Sequence, residues 1–191
     1  MMNSRDKRIL RIGVCGPRAS GKTSLASRLT GNPIIDLPPT IGVEFYSKSI
    51  QGSDLKLHFW DLAGGRQYAY ITDTYLGGTD LMLYTYNAND QTQQQELIDL
   101  YGELKGKNVT RNAILVGTHA ECASQQLPNP IDDLATENGL PHIKVSSRTG
   151  DNVDVLLRMI NGFHRKVVTP PGSIPTARIT KRQKQDKCII L

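Results

Sequence analysis

Residues 16–23 read GPRASGKT, and no other stretch of this 191-residue sequence limits the possible folds as tightly. The spacing G-x-x-x-x-G-K-[ST] is that of a phosphate-binding loop. An apolar run at 9–15 (ILRIGVC) reads as a buried strand before it, and 24–29 (SLASRL) carries apolar residues at helical spacing after it. Strand, loop and helix in that order are the context the motif requires. Gly16 and Gly21 let the backbone curl until successive N–H groups point inward at anionic oxygens, and the helix N-terminus adds its positive dipole end. In such a loop Lys22 reaches the β- and γ-phosphates, and the Thr23 hydroxyl ligates Mg²⁺. The competing reading is an ordinary glycine-rich turn.

The rest of the chain alternates strands with helices. Residues 30–39 (TGNPIIDLPP) are too proline-rich for either and read as an exposed loop. Residues 43–51 and 55–60 alternate apolar and polar positions around a turn at 52–54, which predicts an antiparallel hairpin broken by DLAGG at 61–65. Further strands are predicted at 81–86, 113–117 and 142–146, with helices at about 66–75, 92–104, 131–138 and 152–167. The pattern gives a three-layer α/β domain with a six-stranded, mostly parallel sheet flanked by helices. Ligands of such sheets bind at the carboxyl ends of the strands, where the loops beginning near 16, 61, 117 and 146 fall.

Length suits one domain, and no internal repeat is present. No apolar run approaches the roughly 20 residues that span a bilayer, and 1–8 (MMNSRDKR) leads into a segment too short for a secretory signal. Three cysteines, Cys15, Cys122 and Cys188, lack metal-ligand spacing, which favours a reducing compartment and a cytosolic protein. The formal charge of +5 is concentrated near the end: beyond residue 175 lie Arg178, Lys181, Arg182, Lys184 and Lys187 against Asp186 alone. A nearly neutral body offers no footprint for nucleic acid, whereas the basic tail suits an anionic membrane surface. Residues 169–180 are rich in Pro, Gly, Ser and Thr and read as a flexible linker.

These residues together resemble a Ras-superfamily small GTPase of the Rab branch, over about 8–167 and the last four positions. GPRASGKT resembles the family's first nucleotide motif, Pro39-Thr40 the second, and Asp61-Leu-Ala-Gly64 the third. IGVEF at 41–45 and KLHFWD at 56–61 are similar to Rab-typical segments, and Ser146-Ser147-Arg148 occupies the place of the family's S-A-K. The resemblance implies the P-loop NTPase fold, with a short extension at 1–7, the GTPase domain at 8–168, a basic tail at 169–187 and a C-a-a-X box at 188–191. It implies GTP or GDP with Mg²⁺ as ligands. By it, the nucleotide would be held by Gly16, Arg18, Ala19, Ser20, Gly21, Lys22, Thr23, Ser24, Thr40, Gly64, Thr118, His119, Glu121, Ser146, Ser147 and Arg148. The metal would be held by Thr23, Thr40 and Asp61, and loss of the γ-phosphate would release the Thr40 and Asp61 loops. It further implies effector proteins on those loops, an exchange factor, and prenylation at Cys188 on the cytoplasmic side of a membrane, with the basic tail as the second anchoring signal.

Several positions depart from the family pattern. Gly65 stands where a glutamine usually orients the attacking water, and Gln67 comes two positions late. Arg18 replaces a small residue beside the γ-phosphate, where it obstructs an arginine supplied by an activating protein, points to solvent without consequence, or serves as an arginine finger in cis. Thr118-His119-Ala120-Glu121 replaces N-K-x-D or T-K-x-D, so the base-reading carboxylate is one methylene longer and His119 stands for a lysine. No aromatic residue lies near Pro33 and Ile34, and the 23–40 loop is one residue shorter than usual. Slow hydrolysis and altered base affinity are the expectations. The rival is a pseudo-GTPase, an anchored binding module without nucleotide cycling; an NTPase of changed base preference is a third reading.

Overall fold

The computed structural model describes residues 8–34, 38–65, 74, 75, 77–106, 112–122 and 130–166, with side chains through 163. In chain order it contains β1 (Arg8–Cys15), α1 (Lys22–Thr30), β2 (Val43–Ser49), β3 (Leu55–Leu62), β4 (Leu81–Asn87), α2 (Gln91–Gly106), β5 (Ala113–Thr118), a 3-10 turn (Ala120–Cys122), α3 (Pro130–Asn138), β6 (His142–Lys144) and α4 (Val153–Lys166). The six strands form one sheet in the order β2-β3-β1-β4-β5-β6, antiparallel only between β2 and β3. The expected architecture is present.

Strand β4 shows why the sheet is central. Its residues alternate between two cores: Leu81 and Leu83 face one layer with Leu25 and Leu29 of α1 and Leu156 and Ile160 of α4, whereas Met82, Tyr84 and Tyr86 face the other with α2 and α3. A nearly continuous apolar run is what a parallel strand covered on both faces requires. Each buried leucine contributes about 1.5–3 kcal/mol.

The order of the strands also locates the site. β1 has β3 on one side and β4 on the other, so successive connections diverge above its carboxyl end and leave a crevice there. The 16–21 loop emerges into that crevice.

Several boundaries differ from expectation, and β2 ends at Ser49 rather than at 51. β3 does not break at Asp61 but runs through Leu62, because Asp61 is paired with Val14 on one side and Glu44 on the other. β6 stops at Lys144 rather than at 146, since the Ser146 amide turns to the Asp151 carbonyl at 3.0 Å. Helix α2 runs to Gly106, and Asp90 caps its start by accepting from the amides of Thr92 and Gln93 at 3.0 and 3.2 Å. Of the helix expected at 66–75, Thr74 and Tyr75 are helical; its other residues, with Gln67, lie outside the described residues, as do 1–7 and 167–191 with Cys188.

Candidate functional site

Helix α1 begins with an uncapped N-terminus. Gly21 precedes it in the left-handed region (φ +80°), offers no side chain to the free amides, and no acid occupies the first turn. α2, with its Asp90 cap, shows what an occupied helix start looks like in the same protein. Amides left without internal partners at a helix start suit an anion. The loop curls tightly before it: Gly16 (φ +149°) lies so close to β4 that an added Cβ would sit 1.9 Å from the Thr85 carbonyl oxygen. Ala19 also has a positive φ (+59°), a conformation that costs a non-glycine residue about 1 kcal/mol or more. Arg18 and Ala19 are exposed, while Ser20 is buried.

Lys22 is buried at 6% exposure, and its ammonium donates to the carbonyls of Pro17 and Gly16 at 2.7 and 3.2 Å and to Ser20 Oγ at 3.4 Å. Burial pulls its pKa below the ordinary lysine value, against the charges of Asp61 and Cys15. Gly64 closes over it: a Cβ there would lie 2.7 Å from Lys22 Nζ and 2.8 Å from the Arg18 amide nitrogen. The 61–64 segment therefore meets the 16–21 loop at its ammonium. Gly65 follows with φ +138°, a backbone that disfavours any side chain.

Beside this cradle three oxygens converge. Thr23 Oγ1 donates to Asp61 Oδ2 at 2.5 Å, and Thr40 Oγ1 lies 2.9 Å from Thr23 Oγ1 and 3.4 Å from Asp61 Oδ2. Asp61 is fully buried, and its other oxygen, Oδ1, has no hydrogen-bond partner among the described residues. Among the described residues no three His, Cys, Asp or Glu side chains converge on a metal site. One carboxylate and two hydroxyls are hard donors too few to hold an ion unaided, so they fit a cation such as Mg²⁺ that completes its shell with water and phosphate.

Burial raises the Asp61 carboxyl to about 6, against hydrogen bonds from Thr23 and Thr40 and the Lys22 charge. The folded, metal-free protein thus holds this proton to higher pH than the unfolded chain does. The stabilisation from Asp61 is complete below its unfolded pKa and is lost as pH rises through about 6. In EDTA, lowering pH from about 7.5 to about 5.5 is expected to raise Tm relative to an Asp61→Asn variant. Paired thermal melts check this; parallel curves for the two proteins count against it.

The base-side residues converge at the ends of β5 and β6. Thr118 Oγ1 donates to the Ser20 carbonyl at 2.8 Å and lies 3.0 Å from that of Tyr86, tying β5 to the phosphate loop. His119 Nδ1 is 2.8 Å from the same hydroxyl, and the His119 carbonyl accepts from Asn89 Nδ2 at 2.8 Å. The backbone joins the two loops through Val145 N to Gly117 O (2.7 Å) and Ala120 N to Val145 O (3.2 Å). Ser146 and Arg148 hold the Glu121 carboxyl below its ordinary pKa, with Arg148 Nε 3.4 Å from Oε1. Among the described residues, Glu121 Oε2 and Ser147 Oγ are buried with no hydrogen-bond partner.

An aromatic group beside Thr40 escaped the sequence reading. Phe45 and Trp60 are directly opposed on β2 and β3, with rings 4.9 Å apart, and Trp60 meets Tyr75 at 5.2 Å. Phe45 is 49% exposed and Ile41 67% exposed, so an apolar face flanks Thr40. The segments 41–45 and 56–61 stood out in the sequence, but the cross-strand register that makes an aromatic row of them did not.

Fold and site define a P-loop α/β domain with its phosphate cradle at the topological switch point of the sheet. A sequence model of the Ras family matches residues 11–164. The chain belongs to the Ras family and is a Rab-like small GTPase by kinship. It is 26% identical over 179 residues to Ras-related protein Rab-1 of Theileria annulata, covering 90% of this chain and 81% of that one. It is 30% identical to Ras-related protein rab-39 of Caenorhabditis elegans (78% and 70% covered) and 31% to Ras-related protein RABC2a of Arabidopsis thaliana (75% and 72%).

Proposed function

We propose that this chain binds GTP and GDP with Mg²⁺, hydrolyses GTP slowly, and recruits effector proteins at a membrane. Ras-family GTPases in general bind these nucleotides with Mg²⁺, and Rab-like ones bind effectors, exchange factors and prenylation machinery. The observation that carries the reading here is the uncapped start of α1 with buried Lys22 beside the Thr23–Thr40–Asp61 oxygens. The amides of 18–23 and Lys22 would hold the α-, β- and γ-phosphates. Thr23, Thr40 and Asp61 would hold the metal, which supplies charge neutralisation between the phosphates. Glu121, Ser146 and Ser147 would read the base, with Thr118 fixing the loop and His119 and Arg148 covering its edges.

Slow hydrolysis follows from Gly65, whose backbone disfavours a water-orienting side chain, and from exposed Arg18 at the mouth of the cradle. The Thr40 loop with Ile41, Phe45 and the Trp60–Tyr75 pair would form the effector face, exposed apolar surface of the kind that partners cover. Trafficking between membranes accords with the Rab kinship. Membrane attachment would come from prenyl transfer to Cys188 and from the basic tail; among the described residues no helix is long and apolar enough to cross a bilayer.

Nucleotide released from purified protein and a single-turnover phosphate assay test the proposal together. Bound GTP or GDP is expected, with turnover below about 10⁻⁴ s⁻¹. A rate typical of the family sinks the slow-hydrolysis claim. A folded protein with an empty site that takes up no guanine nucleotide would replace the whole reading with a membrane-anchored binding module.

A further inference from the structure

Tyr86 is fully buried on β4, and its side chain crosses the next strand at Gly117. A Cβ at Gly117 would lie 3.0 Å from the Tyr86 hydroxyl oxygen and 3.1 Å from Cζ, so glycine there leaves the passage open. Beyond it the hydroxyl meets His142 Nε2 at 2.8 Å, and His142 Nδ1 meets Asp132 Oδ1 of α3 at 2.6 Å. One hydrogen-bonded chain thus links β4, β6 and α3 across β5. Its position is specific: Thr118 hydrogen-bonds to the Tyr86 backbone carbonyl, and Ser146 follows β6 by two residues. Of the loops assigned to the base, 146–148 therefore rises from β6, which this chain joins, and 118–121 from β5, which it crosses at Gly117.

We propose that Tyr86, His142 and Asp132 are positioning residues that set the spacing of the 118–121 and 146–148 loops and so govern how long the base is held. This rests on the reading of those loops as the base site. With Asp132 accepting from Nδ1–H, Nε2 of neutral His142 is the acceptor for the tyrosine O–H. Protonation turns Nε2 into a donor, and the Tyr86 O–H can no longer donate to it. Among the described residues the titratable groups facing His142 are Asp132 from α3, Tyr86 from β4 and Lys144 on its own strand; β5 presents Leu115 and Gly117, which do not titrate. Burial, the largest cause, and Lys144 hold the His142 pKa below its ordinary value, and Asp132 partly offsets them. The neutral relay therefore prevails at neutral pH and fails on acidification.

The test uses the full chain loaded with N-methylanthraniloyl-GDP and Mg²⁺, with release followed by fluorescence from about pH 5.5 to about pH 8, each variant expressed as a ratio to wild type. Tyr86→Phe is expected to release the probe about fivefold faster at neutral pH, the equivalent of one hydrogen bond, and to flatten the acid response. Asp132 is exposed, so Asp132→Asn preserves the fold; it is expected to move the acid acceleration to lower pH, because His142 loses the charge that favours its protonation. A purely structural relay would lower Tm and leave release ratios and pH profile unchanged, and that result overturns the proposal. If wild type retains no probe, the nucleotide reading fails separately. Amide exchange at Gly117, Thr118 and His119 then decides: faster exchange in Tyr86→Phe supports the relay, and unchanged exchange in that variant overturns it.

Discussion

Lys22→Ala is expected to weaken GTP binding by about 10²–10⁴-fold while leaving the nucleotide-free fold intact. Two charge-assisted hydrogen bonds from one ammonium to phosphate oxygens are worth about 1.5–3 kcal/mol each, which sums to that range in Kd. The same substitution removes a cation that burial already disfavours, so the empty protein loses the hydrogen bonds to Gly16, Pro17 and Ser20 and the attraction of Asp61 but also sheds a desolvation cost. Affinity and stability therefore respond differently. Titration calorimetry with GTP and Mg²⁺, alongside thermal melts without either, measures both. An affinity within tenfold of wild type would remove Lys22 from the phosphate site, and with it the main support for nucleotide binding.

Gly16→Ala is expected to destabilise the domain by about 3–5 kcal/mol and lower Tm by about 10 °C. Two costs coincide there: φ of +149°, which L side chains rarely adopt, and a Cβ 1.9 Å from the Thr85 carbonyl oxygen, which β4 cannot move without shifting its own pairing with β1 and β5. Gly31→Ala is the matched control. Its φ is +84° and nothing lies within 4 Å of an added Cβ, so only the backbone strain of about 1–2 kcal/mol remains. Equal melting points for the two variants would show that the close approach of 16 to 85 does not exist in solution.

The contrast between those glycines marks how far the sequence could be read. Its spacing announced Gly16 and Gly21 because a phosphate cradle is a local device: eight consecutive residues contain the turn, the ammonium and the hydroxyl. The strands at 81–86 and 113–117 were legible for a related reason, since burial on both faces leaves an apolar run interrupted only by Thr85 in the first of them. Asp61 was recognised as an acid in a telling place, yet its position inside β3 was missed, because only pairing with Val14 and Glu44 keeps that segment extended. Tyr86, His142 and Asp132 gave no signal at all. They are far apart in the chain, and no periodicity records which side chains two crossovers will bring within 3 Å.

By itself the sequence determined a phosphate-binding strand, loop and helix, an alternating α/β order and a basic tail, because these depend on neighbours a few positions away. The family resemblance had already grouped Thr23, Thr40 and Asp61 on one metal; only the tertiary structure decided that their oxygens hydrogen-bond to one another, that Thr118 holds the phosphate loop by its Ser20 carbonyl, and that the Phe45 ring lies tilted against Trp60. Each of those contacts depends on register between strands and on which face of the sheet a helix covers. Such choices are made by packing of the whole core, where a shift of one residue would turn every side chain to the opposite side.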